Sequence, residues 1–273
     1  MRTLLAVLNH VETAGAVLAS AGLVASRLPQ ARIDVLQVRA EVDPTFLPTE
    51  EIMTPERQAH FEATTAALSA DLRASFETWR RGSAQLADVG WREEIGDQAS
   101  VVVREGAKAD LVVIGLAPQS EPGDGWATIE AALFEGEAPI LLVPKVIPET
   151  IGAHIAVAWK PSETAERAVT AAVPLLRLAE RVTILIGAES EGDTPPPAAL
   201  LQVLAERNLV PAMHPFTPGT RSIGAALLDE ARHAGADLLV MGAYAHPRIV
   251  EALTGGATRD ILAGADMPVL MHH

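Results

Sequence analysis

Short, unbroken apolar runs recur along this 273-residue chain, separated by longer stretches with helical spacing. The runs begin near residues 4, 32, 111 and 140 in the first half and near 155, 181, 238 and 269 in the second. They show little alternation of apolar and polar positions, the mark of strands buried on both faces of a parallel sheet. Helical patterns lie between them. Thr13 to Arg27 is Ala-rich and stops before Pro29, and Glu56 to Arg81 follows Thr54-Pro55, a cap and first-turn pair. Gln98 to Lys108 and Ser222 to His233 each lead into a strand, and a shorter helix, Ala198 to Arg207, follows Thr194-Pro195-Pro196-Pro197. Alternation of this kind builds right-handed βαβ units, so the pattern predicts doubly wound α/β layers.

The pattern also repeats itself. Leu4-Leu5-Ala6-Val7-Leu8 precedes Glu12-Thr13-Ala14 as Ile155-Ala156-Val157-Ala158-Trp159 precedes Glu163-Thr164-Ala165. Arg32-Ile33-Asp34-Val35-Leu36 matches Arg181-Val182-Thr183-Ile184-Leu185. Ala109-Asp110-Leu111 matches Ala236-Asp237-Leu238, each leading to a glycine, Gly115 and Gly242. Pro139-Ile140-Leu141-Leu142-Val143 matches Pro268-Val269-Leu270-Met271. Matches in the same order predict a duplicated domain, with boundaries at residues 1–146 and 151–273 and a join over Pro144 to Thr150. The final strand of each half, Ile140 to Val143 and Val269 to Met271, is short and apolar. These strands are expected to pair with each other inside the chain, as a pseudo-dimer of the halves, and a further homodimer is left open.

Composition narrows the functional classes. Lys plus Arg is 21 against Asp plus Glu 35, a formal net charge of −14. So acidic a surface repels nucleic acid and anionic lipid, and 4% aromatic residues argue against a base-stacking platform. The absence of cysteine removes disulfides, thiolate nucleophiles and Cys-type metal sites. The opening apolar run is cut by Asn9, His10 and Glu12, and no stretch approaches a membrane span. The expectation is a cytoplasmic protein without membrane or nucleic-acid partners.

In open parallel sheets, ligands bind beyond the carboxyl ends of strands, where strand order reverses. In the second half, the run ending at Gly242 leads through Ala243-Tyr244-Ala245-His246 to Gly255-Gly256-Ala257-Thr258-Arg259-Asp260. Glycines there let backbone N–H groups approach a ligand, Thr258 is placed to cap the helix that follows, and Arg259 adds positive charge. Two readings of this spacing stand side by side: a phosphate cradle, or a capped turn that binds nothing.

On these residues the chain resembles a tandem universal stress protein, two UspA-type domains in one polypeptide. The family's nucleotide-binding members carry G-x2-G-x9-G-(S/T). Here the frame reads Gly242, Ala245, Gly255 and Gly256, with Ala for the second glycine and Gly for the hydroxyl residue. The resemblance implies two doubly wound domains of the adenine nucleotide alpha hydrolase-like class, and ATP or another adenine nucleotide, with Mg, as ligand of the second. The site residues carried over are Gly242, Ala245, Gly255, Gly256, Thr258, Arg259 and Lys160. The family places an Asp after the first strand, where this chain has Asn9 and Lys160, and Lys160 has donors only. In the first half the glycine frame is absent, and Phe134-Glu135-Gly136-Glu137 is expected to start the corresponding helix and repel phosphate. That half is expected not to bind nucleotide.

Other residues read as structural. Trp159 is expected in the core or pocket wall, and His233 and His246 at the surface. No P-loop, zinc-protease or nucleophile-elbow motif occurs, so no catalytic or metal-binding residue is expected. Three functions remain: a non-catalytic stress-response regulator that binds nucleotide, a scaffold acting through an unidentified protein partner, and, last, a slow ATP hydrolase with Asp260 as its one candidate metal ligand.

Overall fold

A computed structural model describes residues 1–40, 54–86, 88–116, 124–187, 196, 198–243 and 256–273. The first half runs β1 (Thr3–Leu8), α1 (Val11–Arg27), β2 (Arg32–Arg39), α2 (Pro55–Gly82), β3 (Val89–Ile95), α3 (Gln98–Gly106), β4 (Leu111–Gly115), α4 (Asp124–Phe134) and β5 (Ile140–Val143). The second repeats the order: β6 (His154–Ala158), α5 (Glu163–Leu176), β7 (Arg181–Gly187), α6 (Ala198–Glu206), β8 (Ala212–Phe216), α7 (Ile223–His233), β9 (Leu238–Gly242), α8 (Ala257–Gly264) and β10 (Val269–His272).

All these strands form one sheet, ordered β3-β2-β1-β4-β5-β10-β9-β6-β7-β8. Every pairing is parallel except the central one, where β5 and β10 run antiparallel with Leu141 opposite Leu270. The two final strands therefore pair with each other, as their apolar character led one to expect. Strand order reverses between β1 and β4 in the first lobe and between β6 and β9 in the second.

Each face of the sheet carries one core. Leu4, Ala6, Val113 and Leu141 pack with α1, α2, α5 and α6 on one side. Leu5, Val7, Ile114 and Leu142 pack with α3, α4, α7 and α8 on the other. Strands β1 and β4, clad on both faces, are buried at almost every position.

Helix starts follow their caps. Thr54 Oγ1 accepts the N–H of Arg57, Asp97 that of Ser100, Ser162 that of Ala165 and Ser222 that of Ala225. Helix α1 begins two residues earlier than its apolar spacing indicated, and α3 ends two residues before Lys108.

The join is tied to α1. Lys145 Nζ donates to Glu12 at 2.7 Å, Ile147 lies over Gly15, and Arg27 donates to the carbonyls of Ile151 and Leu178 at 3.1 and 2.6 Å.

Candidate functional site

The second lobe brings the ends of β6 and β9 together at its switch point. Past β6 stand Trp159, buried in the core as expected, and Lys160, exposed. At the end of β9, Gly242 allows the start of α5 to sit directly on the strand: a Cβ there would lie 2.6 Å from Ala165 N and 2.7 Å from Thr164 Oγ1. Gly115 does the same in the first lobe, where a Cβ would collide with Thr13. Helix packing against the sheet is thus a sufficient reason for both glycines, before any ligand is considered.

Chain direction puts the N-terminus of α8 on this carboxyl edge, because α8 joins two parallel strands, β9 and β10. Its N-cap is Gly256, in extended conformation and with no side-chain cap. Thr258, expected to be that cap, is instead the second helical residue. Its side chain is 5% exposed, and Oγ1 is buried with no hydrogen-bond partner. The earlier start has a simple cause: glycine, with no side chain to cap with, can still hold the extended N-cap conformation, so the N-cap lies two residues before the first hydroxyl. Arg259 is exposed on the same turn. Ala245 and Gly255, the other residues of the frame, lie outside the described residues.

This turn fits an anion. Uncapped helix N–H groups and an orphaned hydroxyl are donors of the kind a phosphate oxygen accepts from, and the dipole of α8 favours negative charge at this end. The nucleoside side fits less well, because Lys160 cannot accept a hydrogen bond from a ribose or base. For a magnesium ion the protein offers little: among the described residues no group of three or more His, Asp or Glu is placed to hold a metal. Asp260 is turned toward α7, where its Oδ2 accepts the N–H of Gly224 at 3.2 Å.

The first lobe differs from expectation. Phe134-Glu135-Gly136-Glu137 does not start a helix; α4 ends at Phe134, and Glu135 and Gly136 donate their N–H groups back to Ala131 O. The acidic turn therefore lies at the amino end of β5, away from the carboxyl edge, and repels nothing there. Sequence reasoning also passed over the burial of Asn9, which is 8% exposed with both amide atoms unpartnered, as is His10 Nε2.

No protein-family model matches the sequence, and no curated protein matches it either. Solved structures do. A universal stress protein from Archaeoglobus fulgidus DSM 4304 superposes with a TM-score of 0.67 at 13% identity, covering 99% of this chain and 95% of that one. A functionally unknown protein from Pseudomonas aeruginosa PAO1 gives 0.60 at 16% identity, over 100% and 92% of the two chains. At such identities the likeness is one of fold, and it extends from end to end: the chain has the fold of a universal stress protein.

Proposed function

We propose that this chain is a tandem universal stress protein that acts as a non-catalytic, cytoplasmic regulator and takes an adenine nucleotide in its second lobe. The observation that carries this reading is the first turn of α8, where an uncapped Gly256 start and the orphaned Thr258 hydroxyl present donors with nothing to serve. A buried hydroxyl without a partner costs about 1–3 kcal/mol, and a phosphate oxygen would remove that cost. The glycine frame from Gly242 to Gly256 supports the same ligand through the family resemblance. The phosphates would face α8, with Arg259 beside them. Magnesium would be held chiefly by the phosphates and water, as is usual where few carboxylates are at hand.

Hydrolysis is not part of the proposal. Phosphoryl transfer needs a metal-holding carboxylate, and Asp260 is committed to Gly224. Calorimetric titration with Mg-ATP, Mg-ADP and AMP tests the reading: saturable heat at one site per chain is expected, stronger for the di- and triphosphate than for AMP. No heat at high protein concentration would overturn it.

A scaffold that binds no nucleotide is the second reading, favoured by one feature: exposed Lys160 in the position where the family keeps an Asp. Nucleotide released on denaturing freshly purified protein, near one per chain, would count against it.

A further inference from the structure

Two helices of the second lobe begin at the carboxyl edge of the sheet. Helix α7 leads from β8 to β9 and α8 from β9 to β10, so each starts where a strand has just ended. The two starts touch. At Gly224, the second residue of α7, a Cβ would collide with that of Asp260 and lie 2.6 Å from the carbonyl oxygen of Ala257. Across this contact Asp260 Oδ2 accepts the N–H of Gly224 at 3.2 Å, while Ser222 Oγ takes the next one, from Ala225.

The start of α7 is thus served by the chain's own groups, whereas that of α8 has no side-chain cap. The carboxylate in the first turn of α8 serves its neighbour and not its own helix. In a turn that takes an anion, its charge is unfavourable. The N-terminus of α7, where a negative charge is stabilised, offsets part of that cost.

Packing alone does not call for this pair. In the first lobe α3 and α4 pack against each other without it. Ala99 holds the second position of α3, and Ala131 stands eight residues before Pro139, as Asp260 stands before Pro268. Helix α3 is capped by its own Asp97. The second lobe instead places glycine, a weak helix former, inside α7 and a half-buried carboxylate opposite it. Both departures occur beside the turn with the orphaned Thr258 hydroxyl.

We infer that Gly224 and Asp260 are positioning residues for the anion: their close contact and hydrogen bond fix the first turn of α8, and with it the N–H groups of Ala257 and Thr258. The inference rests on the nucleotide reading of α8 and adds to it two residues that lie outside the glycine frame.

Calorimetric titration of the full-length protein with Mg-ADP, on the parent and three variants, provides the test. Asp260→Ala removes a negative charge from beside the phosphates, so charge alone would tighten binding. Positioning requires the opposite, a weakening of about three- to tenfold. Asp260→Asn keeps an acceptor oxygen and loses the charge, and should bind at least as tightly as the parent. Gly224→Ala wedges the two starts apart and should weaken binding as Asp260→Ala does, although alanine is the better helix former. In ligand-free protein the amides of Ile261 and Leu262 should exchange faster in Asp260→Ala and Gly224→Ala than in Asp260→Asn, with those of α5 unchanged. Should Gly224→Ala fail to fold, the two Asp260 variants still decide.

Tighter binding by both Asp260 variants would reduce the carboxylate to a repelling charge. Equal weakening by both would assign the effect to the charge itself, and unchanged affinity with altered melting temperatures would reduce the pair to packing. Each of these results overturns the inference and leaves the nucleotide reading intact. No binding of Mg-ADP by the parent protein overturns that reading, and the inference with it.

Discussion

Asp237 Oδ1 accepts the backbone N–H of His154 at 3.0 Å, and the same carboxylate takes the N–H groups of Gly152 and Ala153. In the first lobe Asp110 does this for Arg2 and Thr3 at 2.6 and 2.9 Å. The repeated Ala-Asp-Leu motif is thus a device for starting the first strand of each lobe. It ties that strand's amino end to the residue that precedes its neighbour in the sheet. Asp237→Ala would leave three N–H groups without their acceptor, at a cost of about 2–3 kcal/mol. Urea denaturation should show the loss, with Asp237→Asn intermediate because one acceptor oxygen survives.

Acid should weaken the first lobe through Glu105. Its carboxyl is only 4% exposed. Hydrogen bonds from Lys108, then Arg104 and Arg92, outweigh burial and pull its pKa down from 4.5 to about 2. A carboxylate with a depressed folded pKa stabilises fully above its unfolded value and loses that contribution as pH falls through the folded one. Thermal melts should therefore drop between about pH 5 and pH 2. Glu105→Gln should be less stable at pH 7 and show a shallower decline over that window.

Asn9 is a buried amide with no partner for either atom. Asn9→Leu, which keeps the branched shape and the number of side-chain heavy atoms, removes the unsatisfied group and, where the slightly larger methyls are accommodated, should raise stability of the ligand-free protein by about 1–2 kcal/mol. A fall in melting temperature would mean that the amide has a use in the folded protein that its neighbours do not reveal.

Strands clad on both faces were legible as unbroken apolar runs, which is why β1, β4, β6 and β9 stand out. The sheet edges β3 and β8 were not. Val89–Ile95 carries Arg92, Glu93 and Glu94, and Ala212–Phe216 carries Pro215, because an edge strand has one neighbour and an open side. Proline on β8 and charge on β3 also protect the sheet from further pairing. Helix ends were misplaced where glycine stands near them. Gly136 closes α4 and Gly256 opens α8, and an isolated glycine does not announce which end it serves. The site was legible as a glycine frame, whereas the orphaned Thr258 and Asn9 atoms were not, since satisfaction of a polar group is a property of the packed molecule alone.

Thr258→Val keeps the volume of the buried side chain and removes its hydroxyl. It should leave the ligand-free protein as stable as before or slightly more so, while weakening nucleotide binding by about tenfold or more, the value of a hydrogen bond to a charged group. Equal loss of stability and affinity would mean that the hydroxyl serves the fold and not an anion.

The amide resonances of α8 test the central claim most directly. Adding Mg-ADP to isotope-labelled protein should move the N–H signals of Ala257, Thr258 and Arg259 in a saturable way while those of α4 stay in place. Unmoved α8 amides at saturating nucleotide, or shifts confined to the first lobe around Asn9 and His10, would contradict it.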